Sequence, residues 1–124
     1  MPEGPSRGDI YLADLTPGAV GSEQQGTRPV AIVSNDIANA FASVVIVAAV
    51  TSQPSKRRQL WDVILPAGQP LPLAGRIMCN QLFSLDKDER LIKKMGSLSA
   101  AQLVDLDQAL RVSLGLDGMV PSAP

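Results

Sequence analysis

Ser43-Val44-Val45-Ile46-Val47-Ala48-Ala49-Val50 is the stretch on which the fold turns. Seven apolar residues follow the serine, most of them β-branched, with no glycine or proline among them. Side chains forked at Cβ lose freedom in a helix but fit a pleated surface. The run is too short to cross a bilayer. It predicts a strand, central in its sheet and covered on both faces, with Thr51 at its end. Toward the N-terminus, Val30–Val33 predicts a second buried strand. Asp9–Leu15 predicts another, alternating weakly through Ile10, Tyr11 and Leu12 and stopped by Thr16-Pro17-Gly18. Between them, Gly21-Ser22-Glu23-Gln24-Gln25-Gly26-Thr27-Arg28-Pro29 is a polar loop bounded by glycines. A loop rich in side-chain donors and held between strands is where small domains place function.

Asp36 is expected to cap a short helix over 37–41, its carboxylate accepting first-turn amides. Beyond the central run, Thr51–Gln59 is a polar, basic connection. Trp61–Leu65 predicts a short strand ended by Pro66-Ala67-Gly68, and Pro70 and Pro72 keep the next loop extended. Gly75–Leu82 predicts a further strand and Leu91–Met95 a last short one. Ser99-Ala100-Ala101-Gln102 is a capping box, with serine at the cap and glutamine three residues on. Leu103, Leu106, Leu110 and Leu114 follow at helical spacing as one apolar face, and Gly115 supplies the stop. Short strands closed by one helix predict a mainly β domain, a small and strongly curved barrel or sandwich. A doubly wound sheet would need helices between its strands.

A chain of 124 residues makes one domain. Its expected bounds are a flexible tail over 1–6, the domain over 7–116 and a second tail over 117–124. The only aromatic residues are Tyr11, Phe41, Trp61 and Phe83, so the core must be aliphatic. The single Cys79 excludes an internal disulfide and any multi-cysteine metal site, and the absence of histidine argues against zinc. No metal and no cofactor are expected. Within Ile77-Met78-Cys79 the thiol reads as buried and inert. A lone thiol suits a reducing cytoplasm, and Met1–Ser6 has no apolar segment of the kind a signal peptide needs, so a cytoplasmic protein with no membrane partner is expected. The net charge of −1 gives no global attraction to a polyanion. Lys56-Arg57-Arg58, with Arg7, Arg28 and Arg76, would have to form a local patch.

The runs Arg7-Gly8-Asp9-Ile10-Tyr11, Gly21-Ser22-Glu23-Gln24, Thr27-Arg28-Pro29 and Val33-Ser34-Asn35-Asp36 together resemble the MazF/PemK toxins of bacterial toxin–antitoxin pairs. The similarity continues through Val47-Ala48-Ala49-Val50-Thr51-Ser52, the Asp86–Ser97 region and the terminal helix, so it spans nearly the whole chain. The resemblance implies an SH3-like barrel of the CcdB/MazF toxin fold with accessory helices and a C-terminal helix. It implies a homodimer and a metal-independent, sequence-specific endoribonuclease that cuts single-stranded mRNA and so arrests translation and growth. A cognate MazE-like antitoxin would neutralise it. Gln25 departs from the pattern, standing where many relatives carry a second glycine.

RNA is cut without metal when its own 2′-hydroxyl attacks the neighbouring phosphorus, leaving a 2′,3′-cyclic phosphate and a 5′-hydroxyl. That step needs in-line geometry, proton transfer and stabilised phosphorane oxygens. By resemblance, Arg28 and Thr51 carry it. Alone, Arg28 would read as an ordinary surface arginine and Thr51 as a strand end; the surrounding motif reverses both. A guanidinium offers a planar fork of donors for phosphate oxygens. Because it holds its proton to pH ~12, charge stabilisation and donation to the leaving oxygen suit it better than a base role. Glu23 is the nearby carboxylate, able to order Arg28 or accept the 2′-hydroxyl proton. Ser22, Gln24, Gln25, Thr27, Asn35, Ser52, Gln53, Lys56, Arg57 and Arg58 are the candidate RNA contacts. A disordered acidic and apolar antitoxin segment would block the Arg28 groove. Two alternatives stand beside this reading. A CcdB-like gyrase-binding toxin would share the fold without needing the Arg28/Thr51 pair. A peptide-binding barrel would need an aromatic groove that four scattered aromatics cannot build.

Overall fold

A computed structural model describes residues 4–16, 26–53, 57 and 59–116. Eight elements follow in chain order: β1 (Asp9–Asp14), β2 (Thr27–Ile32), α1 (Asp36–Phe41), β3 (Val44–Thr51), β4 (Asp62–Leu65), β5 (Gly75–Asp86), β6 (Leu91–Ser97) and α2 (Ala100–Leu114). The strands form one antiparallel sheet in the order β4-β5-β3-β2-β1-β6. The mainly β reading with a closing helix holds.

β3 lies inside the sheet, between β5 and β2, as its apolar run predicts. Its coverage is uneven. Val44 and Ile46 are exposed while Val45 and Val47 are buried, and only from Val47 to Val50 is every residue buried. Two hydrophobic clusters explain this. One gathers Ala48, Val50, Val63, Leu71 and Ile77 with Leu106 and Ala109 of α2. The other gathers Val30, Ile32, Val45 and Val47 on the opposite face. The first cluster takes in neither Val44 nor Ile46, so the start of β3 is covered on one face alone.

Among the described residues the sheet does not close on itself. β4 is only four residues long and the β4–β5 connection spans the gap in place of strand pairing. Gln102 of α2 donates from Nε2 to the Gln69 carbonyl at 2.8 Å. Gly96 of β6 lies so near Pro70 that a Cβ there would stand 2.9 Å from the proline ring. Prolines cannot extend a ladder, so this edge is covered by packing instead.

Several boundaries move. β2 begins at Thr27, not Val30, because Thr27, Arg28 and Pro29 pair with Asp14, Ala13 and Leu12 of β1. β5 runs on to Asp86: the ladder to β3 passes from Met78↔Ala49 to Leu82↔Ala48, leaving Cys79, Asn80 and Gln81 as a bulge in an otherwise continuing strand. Asn35, not Asp36, caps α1; its Oδ1 accepts the Ala38 amide at 2.9 Å, while Asp36 accepts the Arg7 amide at 2.7 Å. The capping box of α2 is present, with Ser99 Oγ accepting the Gln102 amide at 3.2 Å and Gln102 Oε1 accepting the Ser99 amide at 2.9 Å. Gly115 ends the helix in the left-handed region at φ 71°. Leu106 is buried and Leu103 and Leu110 are half-buried, but Leu114 is 55% exposed, and Ala109 is buried in the core instead. Ser6, expected in the tail, exchanges two bonds with Asp9, each 2.9 Å. Cys79 is fully buried, and burial, reinforced by the Asp62 carboxylate, pushes its thiol up to about 12.

Candidate active site

Pro29 decides where the site opens. β2 and β3 pair from Ile32↔Val47 to Val30↔Ala49, and the ladder stops there because the next β2 residue has no N–H to give. Continuing that register by two residues sets Arg28 opposite Thr51. Alternation puts Arg28 on the face of Val30 and Ile32, and Thr51 on the face of Val45 and Val47, which is one face of the sheet. A cavity of about 590 Å³ opens at this end, lined by Arg28 and Pro29 of β2, Val50–Gln53 at the end of β3, Leu71–Ala74 before β5 with Gly75 at its start, and Met95 of β6.

Arg28 is anchored through its backbone to Ala13, while its side chain reaches an exposed position. Thr51 is half-buried, and its Oγ1 accepts the Gln53 amide at 3.1 Å. That bond occupies one lone pair and leaves the hydroxyl proton available to a ligand. Gly75 packs so closely on Thr51 that an added Cβ would collide with the Thr51 carbonyl oxygen. The end of β3 is therefore clamped from β5.

Of the residues singled out in the sequence, Arg28, Thr51, Ser52 and Gln53 line the cavity together. Thr27 lies beside them in β2, exposed and paired with Asp14, but not on the cavity wall. Asn35 is outside it, at the far end of β2, where its side chain caps α1. Arg57 is exposed and away from the lining. Ser22, Glu23, Gln24, Gln25, Lys56 and Arg58 lie outside the described residues. The base of the β1–β2 loop, to which residues 22–25 belong, is fixed: the Leu15 amide donates to the Gly26 carbonyl and the Gly26 amide to Thr16 Oγ1, both at 2.9 Å. Gly26, at φ 74°, makes the left-handed turn into β2. Sequence reasoning missed the apolar wall, Leu71-Pro72-Leu73-Ala74, and Met95. The prolines of that loop signalled an extended segment but not what it faces. Among the described residues, no group of three or more acidic, cysteine or histidine side chains could hold a metal ion. No helix among them is long and apolar enough to cross a membrane.

Residues 6–114 match the family model of the PemK-like, MazF-like toxins of type II toxin–antitoxin systems. The chain belongs to that family. It is 42% identical over 112 residues to the Endoribonuclease MazF of Staphylococcus epidermidis, covering 90% of this chain and 92% of that protein. Among solved structures it resembles an endoribonuclease from mycobacterial species in complex with its cognate antitoxin, with a TM-score of 0.74 and 28% identity over 90% of this chain and 96% of the other. It also resembles MazF from Deinococcus radiodurans, with a TM-score of 0.76 and 26% identity over 91% and 98% of the two chains. The endoribonuclease branch of the fold is thus favoured over a gyrase-binding one.

Proposed function

We propose that this chain is a toxin endoribonuclease whose reaction centre is the Arg28/Thr51 pair, cutting single-stranded mRNA through attack of the 2′-hydroxyl on the adjacent phosphorus. One observation carries the reading: in a chain of this family, the ends of β2 and β3 beyond their last mutual pair bring Arg28 and Thr51 onto one face and into one cavity.

The Arg28 guanidinium, on an anchored strand, grips the non-bridging oxygens of the scissile phosphate and gains strength as charge builds on the phosphorane. The Thr51 hydroxyl, with one lone pair engaged by Gln53, donates to the same phosphate. As the 2′-oxygen–phosphorus bond forms, the bond to the 5′-oxygen breaks. Glu23 takes the 2′-hydroxyl proton, and Arg28 supplies a proton to the leaving oxygen. The products are a 2′,3′-cyclic phosphate and a 5′-hydroxyl. Ser52 and Gln53 line the groove beside the phosphate, while Ser22, Gln24, Gln25, Thr27, Lys56, Arg57 and Arg58 contact RNA farther along. Asn35 serves its helix instead.

The reaction uses no metal, because the attacking group is in the substrate and the charge is met by a guanidinium. The protein acts in the cytoplasm as a homodimer. A MazE-like antitoxin inhibits it by laying carboxylates and apolar side chains over the Arg28 groove. The test is incubation with a long single-stranded RNA and its DNA counterpart, both in excess chelator. Cuts at a fixed motif in RNA alone, with cyclic-phosphate ends, are expected. Equal cutting of DNA, or dependence on added magnesium, would overturn the reading.

A further inference from the structure

The Thr51 hydroxyl is held from behind. Its oxygen accepts the Gln53 amide at 3.1 Å, so its direction is only as fixed as the backbone of Gln53. The Gln53 carbonyl in turn accepts from Nε of Arg76 at 3.4 Å. Arg76 is the β5 residue opposite Thr51, and its Nη1 stands 3.4 Å from both carboxylate oxygens of Asp62. Asp62 pairs with Met78, two residues beyond Arg76, so Thr51, Arg76 and Asp62 all lie on one face of three adjacent strands. The Asp62 side chain is completely buried and that of Arg76 only 20% exposed. Neither residue lines the cavity.

A buried ion pair adds little net stability against an apolar replacement of the same volume. It does impose direction. We propose that Asp62 and Arg76 are positioning residues for Thr51: the carboxylate aims the guanidinium, the guanidinium holds the Gln53 carbonyl and with it the backbone of that residue, and the Gln53 N–H fixes the hydroxyl. The Gln59 amide, 3.4 Å from Asp62 Oδ2, restrains the carboxylate at the root of the chain of contacts. Gly75, packed on the Thr51 carbonyl, braces the same residue from its backbone side. This inference rests on Thr51 acting in the reaction. It adds two residues that never touch RNA.

The test compares kcat and KM on a short single-stranded RNA for the wild type, Thr51→Val, the paired variant Asp62→Asn with Arg76→Gln, and the combination of all three. The paired variant removes both charges; Asp62→Asn keeps its volume, and Arg76→Gln shortens the side chain and removes the Nε donor. It should lower kcat roughly ten- to a hundredfold with KM within about twofold, the expected result of misplacing a reacting group. In the Thr51→Val background it should cost nothing further, and with Thr51 intact the paired variant should speed hydrogen exchange at the Gln53 amide. The same fold-loss in both backgrounds would overturn the proposal. So would an unchanged kcat, or a loss confined to KM that deepens with salt, which marks direct phosphate contact. If Thr51→Val alone keeps full activity, the catalytic reading of Thr51 falls, while exchange at Gln53 still decides whether the pair holds the turn. Should the paired variant fail to fold, Arg76→Lys keeps the charge beside Asp62 but loses the Nε donor. It should show the same fall in kcat, and wild-type kcat in that variant would overturn the proposal.

Discussion

The role proposed for Arg28 depends on its place in a strand. Register with Ala13 anchors its backbone, and Pro29 beside it ends the ladder to β3. Arg28→Lys keeps the charge but not the planar fork, so kcat on RNA should fall by at least about a hundredfold, in line with losing an oriented donor to a developing oxyanion. Thr51→Val, which keeps the shape, should cost about tenfold or more through kcat, measured under the same conditions. Near-wild-type rates in both would remove the pair from the mechanism. Cys79 makes a separate prediction. Its thiol, ordinarily near 9.0, is pushed up to about 12 in the folded protein. Between those values the unfolded chain has lost a proton that the folded chain keeps, so stability falls as pH climbs. Urea midpoints measured from pH 8 upward should decline, and Cys79→Ala should flatten the decline above pH 9. Tyr11, also raised by burial, leaves a residual slope in that variant.

At the scale of elements, β3 and α2 were legible in the sequence for different reasons. The β3 run has a side-chain chemistry that only a strand accommodates, and α2 carries its own stop and start signals in Ser99, Gln102 and Gly115. β2 was cut short because Thr27-Arg28-Pro29 has polar, loop-like composition; its strand geometry comes from pairing with β1, a non-local contact that no window of sequence contains. The extension of β5 past Leu82 is hidden for the same reason, since its second half exists by pairing with β3 across a bulge. Asn35 displaced Asp36 as the cap by a single residue, a shift that turns on φ and ψ at the helix start. Two measurements belong here. Ser99→Ala removes one half of the capping box and should lower unfolding stability by about 1 kcal/mol, read from denaturant midpoints at unchanged slope. Gly75→Ala places a methyl against the Thr51 carbonyl, and relieving that overlap must move the end of β3. Its cost in stability should be ~1–3 kcal/mol, with a fall in kcat larger than the loss of folded protein explains.

For the whole molecule, the family and its activity were legible because ordered short motifs survive from Arg7 to the terminal helix, and residues 6–114 match the toxin family as one unit. The cavity was half legible. Arg28, Thr51, Ser52 and Gln53 belong to it, but its opposite wall comes from Leu71–Gly75 and Met95, brought there by the connection that bridges the open side of the sheet. Nothing in a proline-rich loop announces which groove it will face. On the proposed mechanism, the open sheet, the proline-stopped ladder and the bridging loop together hold an arginine and a threonine where a phosphate can lie between them. The most direct test of that claim uses a single-stranded RNA carrying one 2′-deoxy nucleotide immediately 5′ of a mapped cut, with all other positions unchanged. Cleavage should vanish at that bond and persist at any other recognised site on the same strand, with binding to the RNA retained. Continued cleavage at the modified bond would contradict attack by the 2′-hydroxyl, and with it the role assigned to Arg28 and Thr51.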